Sequence, residues 1–178
     1  KAALSALQKE DNPGWKVVWD EDTGVAKRLH NAKSKPFSGK PQDAAREFLS
    51  LYHALFGLSS DLGNLQMQES EKTPLGERVI YRQYYNQIPV VGAEITVHVS
   101  DKNSIFLVDN RCIPNIQLDT VPSVEMNDAI STAEGALSVD ASNVENASSE
   151  LVIFPNGPRQ NLAWSVIVSK KGLIDKTW

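Results

Sequence analysis

The run PQDAAREFLSLYHALFGL, residues 41–58, places Ala44, Ala45, Phe48, Tyr52, Leu55 and Phe56 at three- and four-residue spacing. On an α-helix that spacing lines one broad apolar face, and such a face must be covered by another layer. The ends are marked as well: Pro41 suits the first helical position, Asp43 and Glu47 lie toward the positive end of the dipole, and Gly57 offers a stop. The covering layer is encoded downstream. After a polar connection punctuated by Gly and Pro, 59–76, three β-prone runs occupy 77–85, 90–100 and 104–110. In the second, Ile95, Val97 and Val99 alternate with Glu94, Thr96, His98 and Ser100, the period of a sheet with one face buried and one wet. A helix laid across an antiparallel meander is an α+β layer arrangement.

The flanking segments extend this pattern. Residues 2–7 have the makings of one or two helical turns, without a firm cap. WKVVWDEDTGVAKRL, from Trp15, holds two short β-prone runs around the acidic turn Asp20 to Gly24, which predicts a hairpin. On the other side, IPNIQLDTVPS (113–123) is extended and proline-marked, and is the best linker in the chain. Beyond it Asp128, Ala129, Ile130, Ala133 and Leu137 outline a shorter, Ala-rich helix weakened by Gly135. ELVIF and NLAWSVIVS then flank PNGPRQ, a turn by its Pro and Asn-Gly. In the last run Leu162, Trp164, Val166 and Val168 share one face, and Ala163, Ser165, Ile167 and Ser169 the other. The second part thus echoes the first in architecture, without a residue-level repeat.

Composition excludes several classes of function. With 178 residues, 41% hydrophobic and 22% charged, and a mean hydropathy of −0.31, the chain has the profile of a soluble globular protein. It has no apolar run near the roughly 18 residues of a spanning helix, so no membrane partner is expected. A net charge of −4 lacks the basic stripe that nucleic acid requires. The five Lys/Arg between Lys27 and Lys40 are interleaved with turn residues and read as a solvated strand and loop. Cys112 is the only cysteine, so no intramolecular disulfide forms, and it reads as a small buried apolar side chain.

Catalytic constellations are missing. His30, His53 and His98 never take the i, i+4 spacing of a helical zinc motif, and no cysteine pair substitutes for them. There is no Gly-x-Ser-x-Gly elbow and no phosphate-cradling glycine loop. A Cys112–His98 dyad would rest on the two residue types alone, and Asp20, Glu21 and Asp22 are explained by a tight exposed turn. Asn146 begins an Asn-x-Ser sequon, meaningful only in a glycosylating secretory route. No catalytic, cofactor-binding or metal residue is assigned, and the chain reads as a non-enzyme that acts by contact, through wet sheet faces and open edges.

The stretch YRQYYNQIPVVGAEITVHV, 81–99, joins a glutamine-aromatic run to a Val-Pro turn, a glycine and an alternating strand ending in Val-His-Val. The matching residues are Tyr81, Gln83, Tyr84, Tyr85, Pro89, Val90, Gly92, Ala93, Glu94, Val97, His98 and Val99. Here the chain resembles the propeptide of thermolysin-like secreted zinc metalloproteases. DAAREFLSLYHALFGL is similar to the helix of the fungalysin/thermolysin propeptide (FTP) domain. NDAISTAEGAL with NLAWSVIV is similar to the PepSY domain that comes after it. The three motifs occur in family order. The chain departs from the pattern at Gln87, where the family usually has glycine, and at Asn103-Ser104, which replace a turn glycine. Within the stretch Pro89 and Gly92 are expected to shape the turn, and Ile95, Val97 and Val99 to enter the core.

The resemblance implies two cystatin-like or PepSY-like units, each a helix packed on an antiparallel β-sheet: an FTP-type domain over 1–118 and a PepSY-type domain over 119–178. The family's last strand is expected to be cut off at Trp178, and the signal peptide to be absent from the chain already. By resemblance the function is that of an intramolecular chaperone and temporary inhibitor of the precursor's own catalytic domain, in a secreted or periplasmic protein. Zinc ligands and the catalytic glutamate would belong to that downstream domain, and no cofactor is expected here. The alternative is a free-standing FTP/PepSY protein that binds or inhibits another extracellular protein in trans. Which residues face the partner is left open, Tyr84, Tyr85, Glu94 and His98 among them.

Overall fold

The computed structural model describes residues 2–136, 144–157 and 159–170. The chain is mixed α+β and separates into two compact units, Lys1–Gln117 and Leu118–Trp178.

In the first unit, helix α1 (Ala2–Glu10) precedes a hairpin of β1 (Lys16–Trp19) and β2 (Ala26–His30). Asp20 closes that hairpin's turn: its carboxylate accepts hydrogen bonds from the Thr23 N–H (2.9 Å) and hydroxyl (2.7 Å). Helix α2 (Pro41–Leu51) begins where the sequence marks it, with the Lys40 N–H donating to the Asp43 carboxylate at 3.0 Å. The apolar spacing predicts a helix continuing to Gly57. Instead α2 ends at Leu51, a 3₁₀ turn takes His53–Leu55, and Gly57 stops the chain at φ +68°. The tighter turn still buries Leu55 and Phe56, so the apolar periodicity reads straight across the break.

Strands β3 (Leu65–Thr73), β4 (Gly76–Tyr85), β5 (Ile88–Val99) and β6 (Ile105–Asn110) complete an antiparallel sheet in the order β1-β2-β6-β5-β4-β3. β6 therefore returns beside β2, and α2 lies across β4, β5 and β6. Ala44, Ala45 and Phe48 of α2 meet Val79, Ile95, Val97, Val99 and Val108 of the sheet in one core. Phe48 sits at its centre, its ring centroid 4.9 Å from that of Tyr52 and 6.2 Å from that of Trp15. Burying a ring of this size stabilises by about 2–3 kcal/mol, and truncating it to alanine would cost about 3–5 kcal/mol.

Two expectations are corrected. The connection 59–76 contains a nine-residue strand, β3. It runs along the sheet edge with most of its side chains exposed, so no alternation betrays it. The turn in the Tyr81–Val99 stretch is not formed by Pro89 and Gly92, which lie inside β5. Asn86 and Gln87 make it, at φ +48° and +67°, between the paired residues Tyr85 and Ile88. Gly92, at φ +70°, instead belongs to a bulge where the register jumps between Arg82 and Tyr84. At the next hairpin, Gly76 cannot be replaced: a Cβ there would lie 2.1 Å from the Val99 carbonyl oxygen.

The second unit contains helix α3 (Met126–Ala136) and the antiparallel pair β7 (Val144–Asn156) and β8 (Arg159–Lys170). Leu137, expected on the helix, lies outside the described residues, as do Pro158 of the expected turn and everything after Lys170. Helix α3 packs on β7 and β8, yet none of its described residues is fully buried, because its inner face, Ala129, Thr132, Ala133 and Ala136, borders an open groove.

Candidate functional site

The first unit's sheet has a face opposite α2, and cross-strand register lays its side chains out in rows. One row crosses all six strands: Val18, Arg28, Asp109, Thr96, Ile80 and Glu69 are successive partners. The next aligns Leu107, His98, Arg78 and Glu71. A groove of about 520 Å³ lies over these rows. Four cationic side chains line it, Lys27, Arg28, Arg78 and Arg111, against two carboxylates, Glu94 and Asp109.

Two ion pairs set the guanidinium groups. Arg28 Nε donates to Asp109 Oδ1 at 2.5 Å, and an Arg78 Nη to Glu71 Oε2 at 2.5 Å. All four side chains are a third or more exposed apart from Asp109, at 32%, so solvent screens both pairs and they act chiefly to orient. His98 stands half-buried between them, its ring 5.8 Å from that of Phe106. Burial lowers the His98 pKa below 6.5; the Arg78 and Arg28 charges push the same way, and Asp109 opposes them.

On the buried side, the signature residues hold the fold. The Tyr81 hydroxyl donates to the Gln42 carbonyl at 3.1 Å, and burial pushes its pKa up to about 12. Gln83, 2% exposed, pairs with the backbone of Ile113 as a strand would: its amide donates to the carbonyl at 2.8 Å and its oxygen accepts from the N–H at 2.8 Å. Asn110 donates to the carbonyls of Ala26 and Phe56 and accepts from the Cys112 N–H. These two amides fix how the chain leaves the sheet. Tyr84 and Tyr85 are half-buried, with the Arg82 guanidinium 5.9 Å from the centroid of the Tyr84 ring.

The other residues singled out from the sequence are dispersed. His30 ends β2, His53 opens the 3₁₀ turn with its Nδ1 2.9 Å from the Ser50 carbonyl, and His98 is on β5. Among the described residues, no group of three His, Cys, Asp or Glu side chains could hold a metal. The Cys112 thiol is buried, and burial with the nearby Glu94 charge pushes its pKa up to about 12, far from a reactive thiolate. Asp20 is held below the usual carboxylate range by Thr23. Asn146 lies within β7. Among the described residues, no helix is long and apolar enough to cross a membrane.

In the second unit, Leu151, Leu162, Trp164 and Val166 face Ala129 and Ala133 across an apolar groove of about 630 Å³. Trp164 Nε1 donates to the Val124 carbonyl at 2.8 Å, tying the segment before α3 to β8.

The groove on the sheet was not foreseen from the sequence, although part of its signal is there. Arg78, Ile80 and Arg82 alternate with Val79, Tyr81 and Gln83 as β4 requires. Of the Lys27–Lys40 cluster, only Lys27 and Arg28 reach the groove. Lys33, Lys35 and Lys40 lie in the irregular segment after β2.

Residues 63–111 match the Fungalysin/Thermolysin Propeptide Motif, FTP. The segment therefore carries the propeptide motif that 81–99 resembles, and the match spans β3 through β6. Among solved structures, the Bacillus megaterium YpeB C-terminal domain is similar over 89% of this chain and 73% of its own, with 11% identity and a TM-score of 0.38, too slight a likeness to carry an argument.

Proposed function

We propose that this chain is the pro-region of a thermolysin-like zinc metalloprotease, acting as intramolecular chaperone and temporary inhibitor of the catalytic domain. The observation that carries the reading is the FTP motif over 63–111, whose four strands form most of the first unit's sheet. In this reading 1–118 is the FTP-type domain and 119–178 the PepSY-type domain, in a precursor that takes a secreted or periplasmic route.

The physical basis is linkage. A surface complementary to the native catalytic domain stabilises it, and the states leading to it, by mass action. While the two are covalently joined, the effective concentration is in the millimolar range or above, so even a modest contact is saturated. The same contact obstructs substrate access until the pro-region is cleaved away. Nothing in this role requires a nucleophile, metal or cofactor on the pro-region itself; complementary shape and charge suffice.

The test is refolding of a denatured cognate catalytic domain with and without the chain, combined with titration of the active protease. A gain in refolding yield together with inhibition at micromolar concentration is expected. The absence of both effects would sink the proposal, and inhibition without any refolding gain would turn it toward a binder acting in trans.

A further inference from the structure

The groove over the first unit's sheet exceeds what a solvated sheet face needs. In a chain of net charge −4, it gathers four cationic side chains against Glu94 and Asp109 of its lining and Glu71, the partner of Arg78, an excess of one cation. Two of the cations are held in place by carboxylates, and one of these, Arg28, keeps donors for a ligand. Asp109 holds Arg28 by Nε and Glu71 holds Arg78 by one Nη, so both guanidinium groups are oriented by pairs at their edges. The Nη donors of Arg28 have no hydrogen bond among the described residues. Lys27 and Arg111 form no ion pair among the described residues. Between them the floor offers the Thr96 hydroxyl and the apolar Ile80. Oriented guanidinium groups bind carboxylates in a two-pronged geometry at little further entropic cost, and the groove stands on a strand framework with a closed core beneath it.

We infer that this groove is a docking surface for an acidic segment of the protein partner, its carboxylates taken between Arg28, Arg111 and Lys27. The charge excess selects the partner's sign, and the mixed lining keeps the surface from binding any polyanion indiscriminately. The inference rests on the pro-region reading for the partner's identity, the acidic segment then belonging to the catalytic domain. The chemistry of the groove does not depend on that reading.

The experiment uses the full chain, the doubly substituted Lys27→Glu/Arg111→Glu variant, and Lys102→Glu, which changes an exposed charge in the turn between β5 and β6, as control. Two arms are run at low salt. In the first, a deca-glutamate peptide is titrated while Arg side-chain and Thr96 amide resonances are monitored by NMR. Binding that shifts Arg28, Arg111 and Thr96, is about tenfold weaker in the double variant and fades with salt is expected. Equal binding by the double variant, shifts confined to Lys33, Lys35 and Lys40, or preference for a deca-thymidylate over deca-glutamate overturns the inference. In the second arm, inhibition of the cognate catalytic domain is measured with the same three chains. A slower association for the double variant alone supports the inference, and identical association for all three overturns it. If even the wild-type chain fails to inhibit, the pro-region reading falls, and the peptide arm alone decides for the groove.

Discussion

His98 shows how one side chain reports on its surroundings. It projects from β5 beside Arg78 of β4, with Phe106 and Asp109 of β6 and Arg28 of β2 around it. Half-burial and two cations disfavour its protonated form more than Asp109 favours it, so its folded pKa lies below the unfolded value of 6.5. Between the two values the unfolded chain binds more protons than the native one, so stability rises with pH there. This contribution is complete above about 6.5 and is lost as the pH falls through that value toward the folded pKa. Urea unfolding of the wild type between about pH 7.5 and 5.5 is therefore expected to show stability declining toward acid, with a shallower decline in His98→Gln. Equal slopes would mean that the ring is better hydrated than the structure places it.

At the scale of elements, the β4–β5 hairpin carries a conflict between local preference and position. Asn86 and Gln87 both adopt positive φ, the geometry of a tight two-residue turn whose twist suits the strands it joins. Asparagine tolerates that region; glutamine does so at a cost of about 1 kcal/mol. Gln87→Gly is accordingly expected to raise stability by up to about 0.5 kcal/mol in urea unfolding, the entropy that glycine adds to the unfolded chain offsetting the rest of the strain relieved. A loss of stability would show that the Gln87 side chain makes a contact outweighing its backbone strain. The same hairpin explains what sequence could and could not reveal. Proline and glycine are the strongest turn formers, so they point to a turn at Pro89 and Gly92, whereas the strand absorbs both, the glycine in a bulge. Helix α2 and the alternation of Ile95, Val97 and Val99 are readable because burial on one face enforces a period. Strand β3 is an edge with most of its side chains in water, and nothing enforces a period on it. The groove is least readable of all, since Arg28 and Asp109, 81 residues apart, meet only because β6 returns beside β2.

For the whole molecule, the distribution of core decides which part can stand alone. The main hydrophobic cluster, from Leu7 to Cys112, lies entirely within the first unit, where α1, α2 and six strands close around it. In the second unit the hydrophobic residues that are fully buried, among those described, are Val152 and Ile153. Its helix α3 buries none, and its long β-hairpin leaves Phe154 and Ile167 half or more exposed. Among the described residues the second unit is a two-stranded hairpin with a loosely seated helix, which is marginal in water, whereas a helix on a multi-stranded sheet with a closed core unfolds cooperatively. Residues 1–117 expressed alone should therefore melt in a single cooperative transition by circular dichroism, and residues 118–178 alone should show none. The order matters for the proposed function: a unit that depends on its surroundings for stability is suited to taking its final form against a partner, while the first unit supplies a platform already folded. A cooperative transition in isolated 118–178, at a temperature close to that of the full chain, would remove this division of labour and leave two independent docking modules.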